Sequence, residues 1–321
     1  MLRWLGLWCG LAVLCASSAA RAAECSGNPD ALGVGRIIAA APGQYARIGT
    51  MQYADTLPLA DKELVLTFDD GPLPPYTNRV LDILAAECVR ATFFVVGRMA
   101  RAYPKLVQRI YAEGHTVGTH SETHPGHFNE MPITRMQTEV EDGIASAAAA
   151  LGSAGAVAPF FRIPGLRRGK AVETYLRERG LMVWSADFPA DDWRHISASE
   201  IVNVALRRLE AKRRGILLLH DIQPATALAL PELLRELKSR GYRIVHVVPA
   251  SSEPLRSASA PQEWLLARSR QAWPQIVNAK SPPAQRAANA VTVAPLELRS
   301  TLPPAPLDLR PVIRPPLVLS N

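Results

Sequence analysis

Two adjacent carboxylates, Asp69 and Asp70, close the apolar run Leu64-Val65-Leu66-Thr67-Phe68 and are followed at once by Gly71-Pro72. A strand delivers such a pair and a tight turn stops it. Charged side chains are seldom buried unless they are paired or bound to metal. His120 and His124 follow later in His120-Ser121-Glu122-Thr123-His124. If these imidazoles converge on one Asp, the three form a ligand set for a divalent ion. The other Asp would then lie beside a cation that keeps it ionised, as a general base requires.

Such groups need a rigid frame. Residues 64–248 alternate between short β-rich runs and amphipathic segments, a pattern of parallel strands joined by helices. Strands are expected at Leu64–Phe68, Ala91–Val96, Thr116–Thr119, Phe160–Ile163, Met182–Ser185, Ile216–Leu219 and Arg243–Val248. Helices are expected at 77–87, 99–113, 131–151, 169–179, 197–213 and 226–239, with Gly114, Gly180, Gly215 and Gly241 as stop signals. About seven such units suit a (β/α)-barrel, distorted or partly open. Asp69, Asp70, His120, Arg162, Asp187 and His220 all fall at or just past expected strand ends. Functional groups gather at those ends in parallel α/β folds.

The rest of the chain of 321 residues frames that domain. Residues 1–22 read as a signal peptide: Arg3, an apolar stretch from Leu5 to Leu14, then Ala20-Arg21-Ala22 as a small-residue cleavage site. Export to the periplasm or beyond is expected, and the apolar run is too short to favour a stable membrane span. Residues 23–59 form an N-terminal extension and 60–250 the main domain. Residues 251–321 contain 12 prolines and read as a flexible or polyproline-like tail, with one short helix at Trp264–Trp273. The net charge of +7 resides mostly in the leader and tail; residues 23–250 hold 26 basic against 25 acidic side chains. That balance argues against nucleic acid as a partner. Lys212-Arg213-Arg214 reads as helix-end charge. Cys25 and Cys88 remain after the leader; they either pair in an oxidising compartment or stay as a free and a buried thiol.

The joint pattern resembles the polysaccharide deacetylases of carbohydrate esterase family four, the NodB homology domain. Thr67-Phe68-Asp69-Asp70-Gly71-Pro72 looks like the family's first motif and His120-Ser121-Glu122-Thr123-His124 its second. Phe161-Arg162-Ile163-Pro164-Gly165 resembles the third, Asp191-Asp192-Trp193 the end of the fourth, and Leu218-Leu219-His220 the fifth. The resemblance covers roughly residues 60–250. It implies a metal, usually zinc, on Asp70, His120 and His124. It also implies Asp69 as general base, Arg162 as its orienting partner, and His220 as the acid for the departing amine, paired with Asp192. Trp193 and Leu218 would wall the acetyl pocket, and the Gly165 N–H would help hold the oxyanion. For both Trp193 and Leu218, simple core packing is the competing reading. His127 is expected to be a loop residue.

The implied activity is metal-dependent hydrolysis of acetamido groups on N-acetylglucosamine-type residues of an acetylated glycan, such as chitooligosaccharide or peptidoglycan. An O-deacetylase of acetylated xylan or exopolysaccharide, and a non-catalytic glycan-binding protein, are the alternatives. Two positions depart from the family pattern. Gly165 stands where an aromatic residue is usual, and Pro189 occupies the first Asp position of the fourth motif. Asp187, Asp191 and Asp192 therefore all compete as the partner of His220.

Overall fold

The structure, a computed structural model, describes Cys25 and residues 28–250. The expected signal peptide, the tail and its Trp264–Trp273 helix lie outside the described residues. The described strands are β1 (Arg36–Ala40), β2 (Arg47–Ile48), β3 (Glu63–Asp69), β4 (Thr92–Val95), β5 (Thr116–Thr119), β6 (Phe160–Phe161), β7 (Met182–Trp184), β8 (Phe188–Pro189), β9 (Gly215–His220) and β10 (Arg243–Pro249). The helices are α1 (Tyr76–Ala86), α2 (Gly97–Ala102), α3 (Pro104–Ala112), α4 (Ile133–Leu151), α5 (Lys170–Glu178), α6 (Ala198–Lys212) and α7 (Pro224–Ser239).

Every strand pair is parallel. β3 lies at the centre: β9 runs along one side of it, while β4 and then β10 share the other. Beyond β4 the sheet continues through β5, β6, β7 and β2. The stretch from β7 to β8 pairs first with β6 and then with β9, which gives the distorted (β/α)-barrel. Residues 28–59, expected as an extension, supply β1 against β10 and β2 against β7.

The pleat decides which side chains reach the barrel interior. Along β3, Leu64, Leu66 and Phe68 pack outward into the large cluster with Leu81, Leu230 and Leu234 of the helices. Val65 packs into the inner cluster, so Thr67 and Asp69, two and four residues on, share its face. β9 repeats this, with Leu217 and Leu219 outward and Ile216 and Leu218 inward, which puts His220 on the interior side. Both strands are apolar on both faces, as buried parallel strands must be.

Local signals set the helices. At the start of α6 the Ser197 hydroxyl accepts the Glu200 N–H at 3.2 Å, an N-terminal cap written as Ser-x-x-Glu. The single helix expected over 99–113 is two. Pro104 cannot donate within a helix and pushes Tyr103 out of helical geometry, to φ −132° and ψ 56°. Gly215, expected as a helix stop, instead opens β9 at φ +149°, and Arg213 in the left-handed region ends α6. Arg213 pairs with Asp61 and Lys212 reaches the Thr50 hydroxyl, as helix-end charges do.

Cys25 and Cys88 form a disulfide across 63 residues of sequence. Asn28 Nδ2 donates to Ala86 O beside it, and Glu87 accepts the Leu32 and Gly33 N–H groups, so the N-terminal stretch is fastened to the end of α1. Closing a loop of that length restricts the unfolded chain, and its loss is expected to cost about 4 kcal/mol. Urea titrations of Cys25→Ser/Cys88→Ser against the parent check this; coincident midpoints would remove the disulfide from the stability account.

Candidate active site

Four strand ends assemble the site. Asp69 ends β3, Asp70 follows it, His120 follows β5, Arg162 follows β6 and His220 ends β9. The β3–β9 register sets Asp69 directly opposite His220.

Asp70 Oδ1 lies 3.5 Å from His120 Nε2 and 3.4 Å from His124 Nε2. The three donor atoms are all within 4.8 Å of one another. Asp70 Oδ1 is buried without a hydrogen-bond partner, an expensive condition unless something else satisfies it. His120 Nδ1 faces Arg162 O at 2.6 Å. Since a carbonyl only accepts, Nδ1 carries the proton and Nε2 presents its lone pair. Burial, and then the neighbouring His124, hold the His120 imidazole well below its usual pKa, in the neutral form a ligand needs. Asp70, Ser121 and His124 all adopt left-handed backbone, at φ +74°, +63° and +55°. Strain of this kind in non-glycine residues collects at functional sites. The residues present fit a divalent ion.

Asp69 is held from the opposite side. Arg162, fully buried, donates through one nitrogen to Asp69 Oδ1 at 2.6 Å and to the Thr67 hydroxyl at 2.8 Å, and through the other to Ser185 O at 2.9 Å. Its guanidinium lies 4.3 Å from the Phe94 ring centroid. Asp69 Oδ2 remains 3.9 Å from His120 Nε2. Burial pushes the Asp69 carboxyl up in pKa, while Arg162 opposes that shift.

The partner of His220 is Asp192. Its Oδ1 meets His220 Nδ1 at 2.8 Å, and its Oδ2 accepts the His220 N–H at 2.7 Å and the Thr226 hydroxyl at 2.6 Å. Asp191 turns away to a bidentate pair with Arg208. Asp187 is taken up by Thr50, Thr56 and the Ile216 N–H. Burial lowers the His220 imidazole, but the Asp192 hydrogen bond and charge, with Asp70 and Asp69 beyond, push it up to about 9. The protonated form therefore persists through neutrality and is lost as pH rises through about 9. Removing the Asp192 charge in Asp192→Asn should move the alkaline limb of the rate profile down by about 1–3 pH units. A profile of kcat against pH for both proteins measures it, and an unmoved limb would detach His220 from that limb.

Asp221 was not foreseen. Its Oδ2 accepts the Thr77 hydroxyl at 2.5 Å, and Thr77 Oγ1 in turn accepts the Leu73 N–H at 2.8 Å. Burial pushes this carboxyl up to about 7. A Cβ on Gly71 would lie 2.1 Å from Asp221 Oδ2, so only glycine lets the turn after Asp70 close onto the end of β9. The one available signal was a second acid directly after His220.

Comparison with known proteins gives the family. Residues 57–184 match the family model described as polysaccharide deacetylase. A peptidoglycan-N-acetylglucosamine deacetylase of Bacillus cereus is 34% identical over 197 residues, covering 60% of this chain and 89% of that protein. The chain belongs to the polysaccharide deacetylase family, carbohydrate esterase family four. This family is one of hydrolases, and the chain is an enzyme of that kind. A chitooligosaccharide deacetylase of Rhizobium leguminosarum bv. trifolii is 33% identical over 206 residues, covering 57% of this chain and 89% of that one. Among solved structures, the Bdellovibrio bacteriovorus peptidoglycan deacetylase Bd3279 superposes with a TM-score of 0.60 at 31% identity. That likeness covers 68% of this chain and 59% of the Bdellovibrio chain.

In this polysaccharide deacetylase, Gly165 sits in an exposed turn at φ +59°. A Cβ there would meet only Arg167, at 3.7 Å, so the left-handed backbone rather than crowding suits glycine. Trp193 is 43% exposed, which rules out core packing, and its ring stands edge-on to His220 at 5.7 Å. Leu218 packs in the inner cluster, one pleat below His220. His127 is exposed in the loop after His124.

Proposed function

We propose that the protein is an exported, metal-dependent N-deacetylase that hydrolyses acetamido groups on N-acetylglucosamine-type residues of a glycan, releasing acetate. The observation that carries this is one cluster of side chains with a three-ligand set at Asp70, His120 and His124, flanked by Asp69 on Arg162 and by His220 on Asp192. The named substrates of the two relatives, peptidoglycan N-acetylglucosamine and chitooligosaccharide, point the same way. The Cys25–Cys88 disulfide supports an oxidising compartment and hence export. Among the described residues no helix is long and apolar enough to cross a membrane.

Asp70, His120 and His124 would hold a divalent ion, with zinc the expected one, and that ion would lower the pKa of a bound water and polarise the amide carbonyl. Asp69 takes the proton from the attacking water, held in place by the fully desolvated Arg162 contact. His220, kept protonated by Asp192, delivers a proton to the departing nitrogen as the carbon–nitrogen bond breaks. Amine expulsion needs that proton far more than alkoxide expulsion does. The elaborate support of His220 thus favours amide over ester hydrolysis. Acetate release from chitooligosaccharide, peptidoglycan and acetyl-xylan tests the assignment. The acetamido substrates should turn over fastest, and exclusive activity on acetyl-xylan would replace it with the ester reading.

A further inference from the structure

Six residues past Arg162, the Arg168 guanidinium lies 4.7 Å from the centroid of Tyr53. It donates to Glu173 Oε1 at 2.7 Å and to Gln52 O at 2.5 Å. Arg47, from β2, lies 5.5 Å from the same ring and donates to Glu173 Oε2 at 2.9 Å. Arg47, Arg168 and Glu173 line an open groove of about 690 Å³ along β2, β7 and α5, a size that admits a small ligand or a few sugar units. Four cations line it, Arg47, Arg168, Lys170 and Arg177, and Glu173 is its one lining acid.

That acid is already occupied, accepting from both guanidiniums and, at 3.1 Å, from the Tyr53 hydroxyl. Lys170 and Arg177 are exposed on α5, and neither has a carboxylate partner among the described residues. The surrounding sequence offers no general excess of charge, because residues 23–250 are almost balanced. Four cations against one acid leave the lining net positive, and such a cleft draws in anions. One loop joins the groove to the site, with Arg162 at its start and Arg168 six residues on. Gln52 Nε2 donates to Leu166 O, in the turn that leads from Arg162 to Arg168.

We propose that this groove is an anion subsite that holds carboxylates carried by the glycan, so that acetylated polymers bearing carboxylates are preferred to neutral ones. The inference rests on the deacetylase reading and names the substrate class that reading leaves open. Lys170 and Arg177 supply the capturing charges. Arg47 and Arg168, stacked on Tyr53 and fixed by Glu173, form the rigid wall.

The test compares chitopentaose, which is neutral, with soluble peptidoglycan strands, which carry carboxylates. For the full-length protein at low salt, kcat/KM should favour the charged strands by about tenfold, mainly through KM. The preference should shrink at high salt. Lys170→Ala/Arg177→Ala should lose it while turning over chitopentaose normally. A preference that survives in the double variant, or an equal loss on both substrates, overturns the subsite. Calorimetric titration of both glycans into the parent and the double variant gives an answer without turnover. If neither glycan releases acetate, the deacetylase reading fails, and the titration still decides the groove. If acetate is released but both glycans bind alike, the groove proposal fails alone.

Discussion

Asp69→Asn should yield a folded protein that still takes up metal but turns over about 10³-fold more slowly, within the range that general-base catalysis supplies. Asparagine keeps the shape of the side chain, and its amide oxygen still accepts from Arg162, whose contact with Asp69 is 2.6 Å long. What it lacks is a basic oxygen. Because Asp69 is almost fully buried, water cannot stand in for the lost carboxylate. The substitution also leaves the Arg162 charge buried without its counter-charge, so some loss of stability is expected alongside the loss of rate. Metal content, a denaturation curve and kcat together separate these effects. Wild-type kcat in a variant with full metal content would place the base elsewhere.

Metal removal should have the other large effect. Chelation is expected to bring acetate release down to background, with recovery on adding a divalent ion. His120→Ala should weaken metal affinity by more than about 100-fold, beyond what is lost when only a group supporting a ligand is changed. The reason lies in the ligand set: with three protein donors, deleting one leaves Asp70 Oδ1 and His124 Nε2, 3.4 Å apart, as the remaining pair. A second readout is independent of activity. A ligand that binds only the native state stabilises it by about 2.7 kcal/mol at 100 times its Kd. Zinc should therefore raise the melting temperature of the parent and leave that of His120→Ala almost unchanged. Full activity in chelated protein, with no thermal shift in either form, would rule out the metal role.

The sequence carried the chemistry more legibly than the frame. Asp69 with Asp70, Arg162 and His220 could be placed because each closes or follows an apolar run whose end is visible in the chain, and His120 because the β-rich run Thr116–Thr119 precedes it; seven strands were visible in the same way. β1, β2 and β8 were not: β1 falls in the stretch expected as an extension, two isolated residues carry no periodicity, and Pro189 argues against a strand. The choice among Asp187, Asp191 and Asp192 depended on Asp191 standing at φ +58°, which sends adjacent carboxylates to Arg208 and to His220. No local pattern encodes that turn. Cys25 with Cys88, and Arg47 with Glu173, meet across 63 and 126 residues, and side-chain type alone does not report such distances.

The β3–β9 register, which sets Asp69 against His220, has a bearing on how this enzyme can diversify. The proposed acid and base are indexed to each other by main-chain ladder bonds, so a slip of one residue would present Asp70 to His220 and turn the pair to the wrong face. The groups proposed to meet the rest of the glycan are mounted differently, on the turn around Gly165, on Trp193 and on the outer surface of α5. Reaction and recognition are thus separately heritable. If the α5 groove holds the glycan as proposed, mutation can explore new glycans through exposed positions such as Lys170 and Arg177 while the hydrolytic geometry is inherited unchanged.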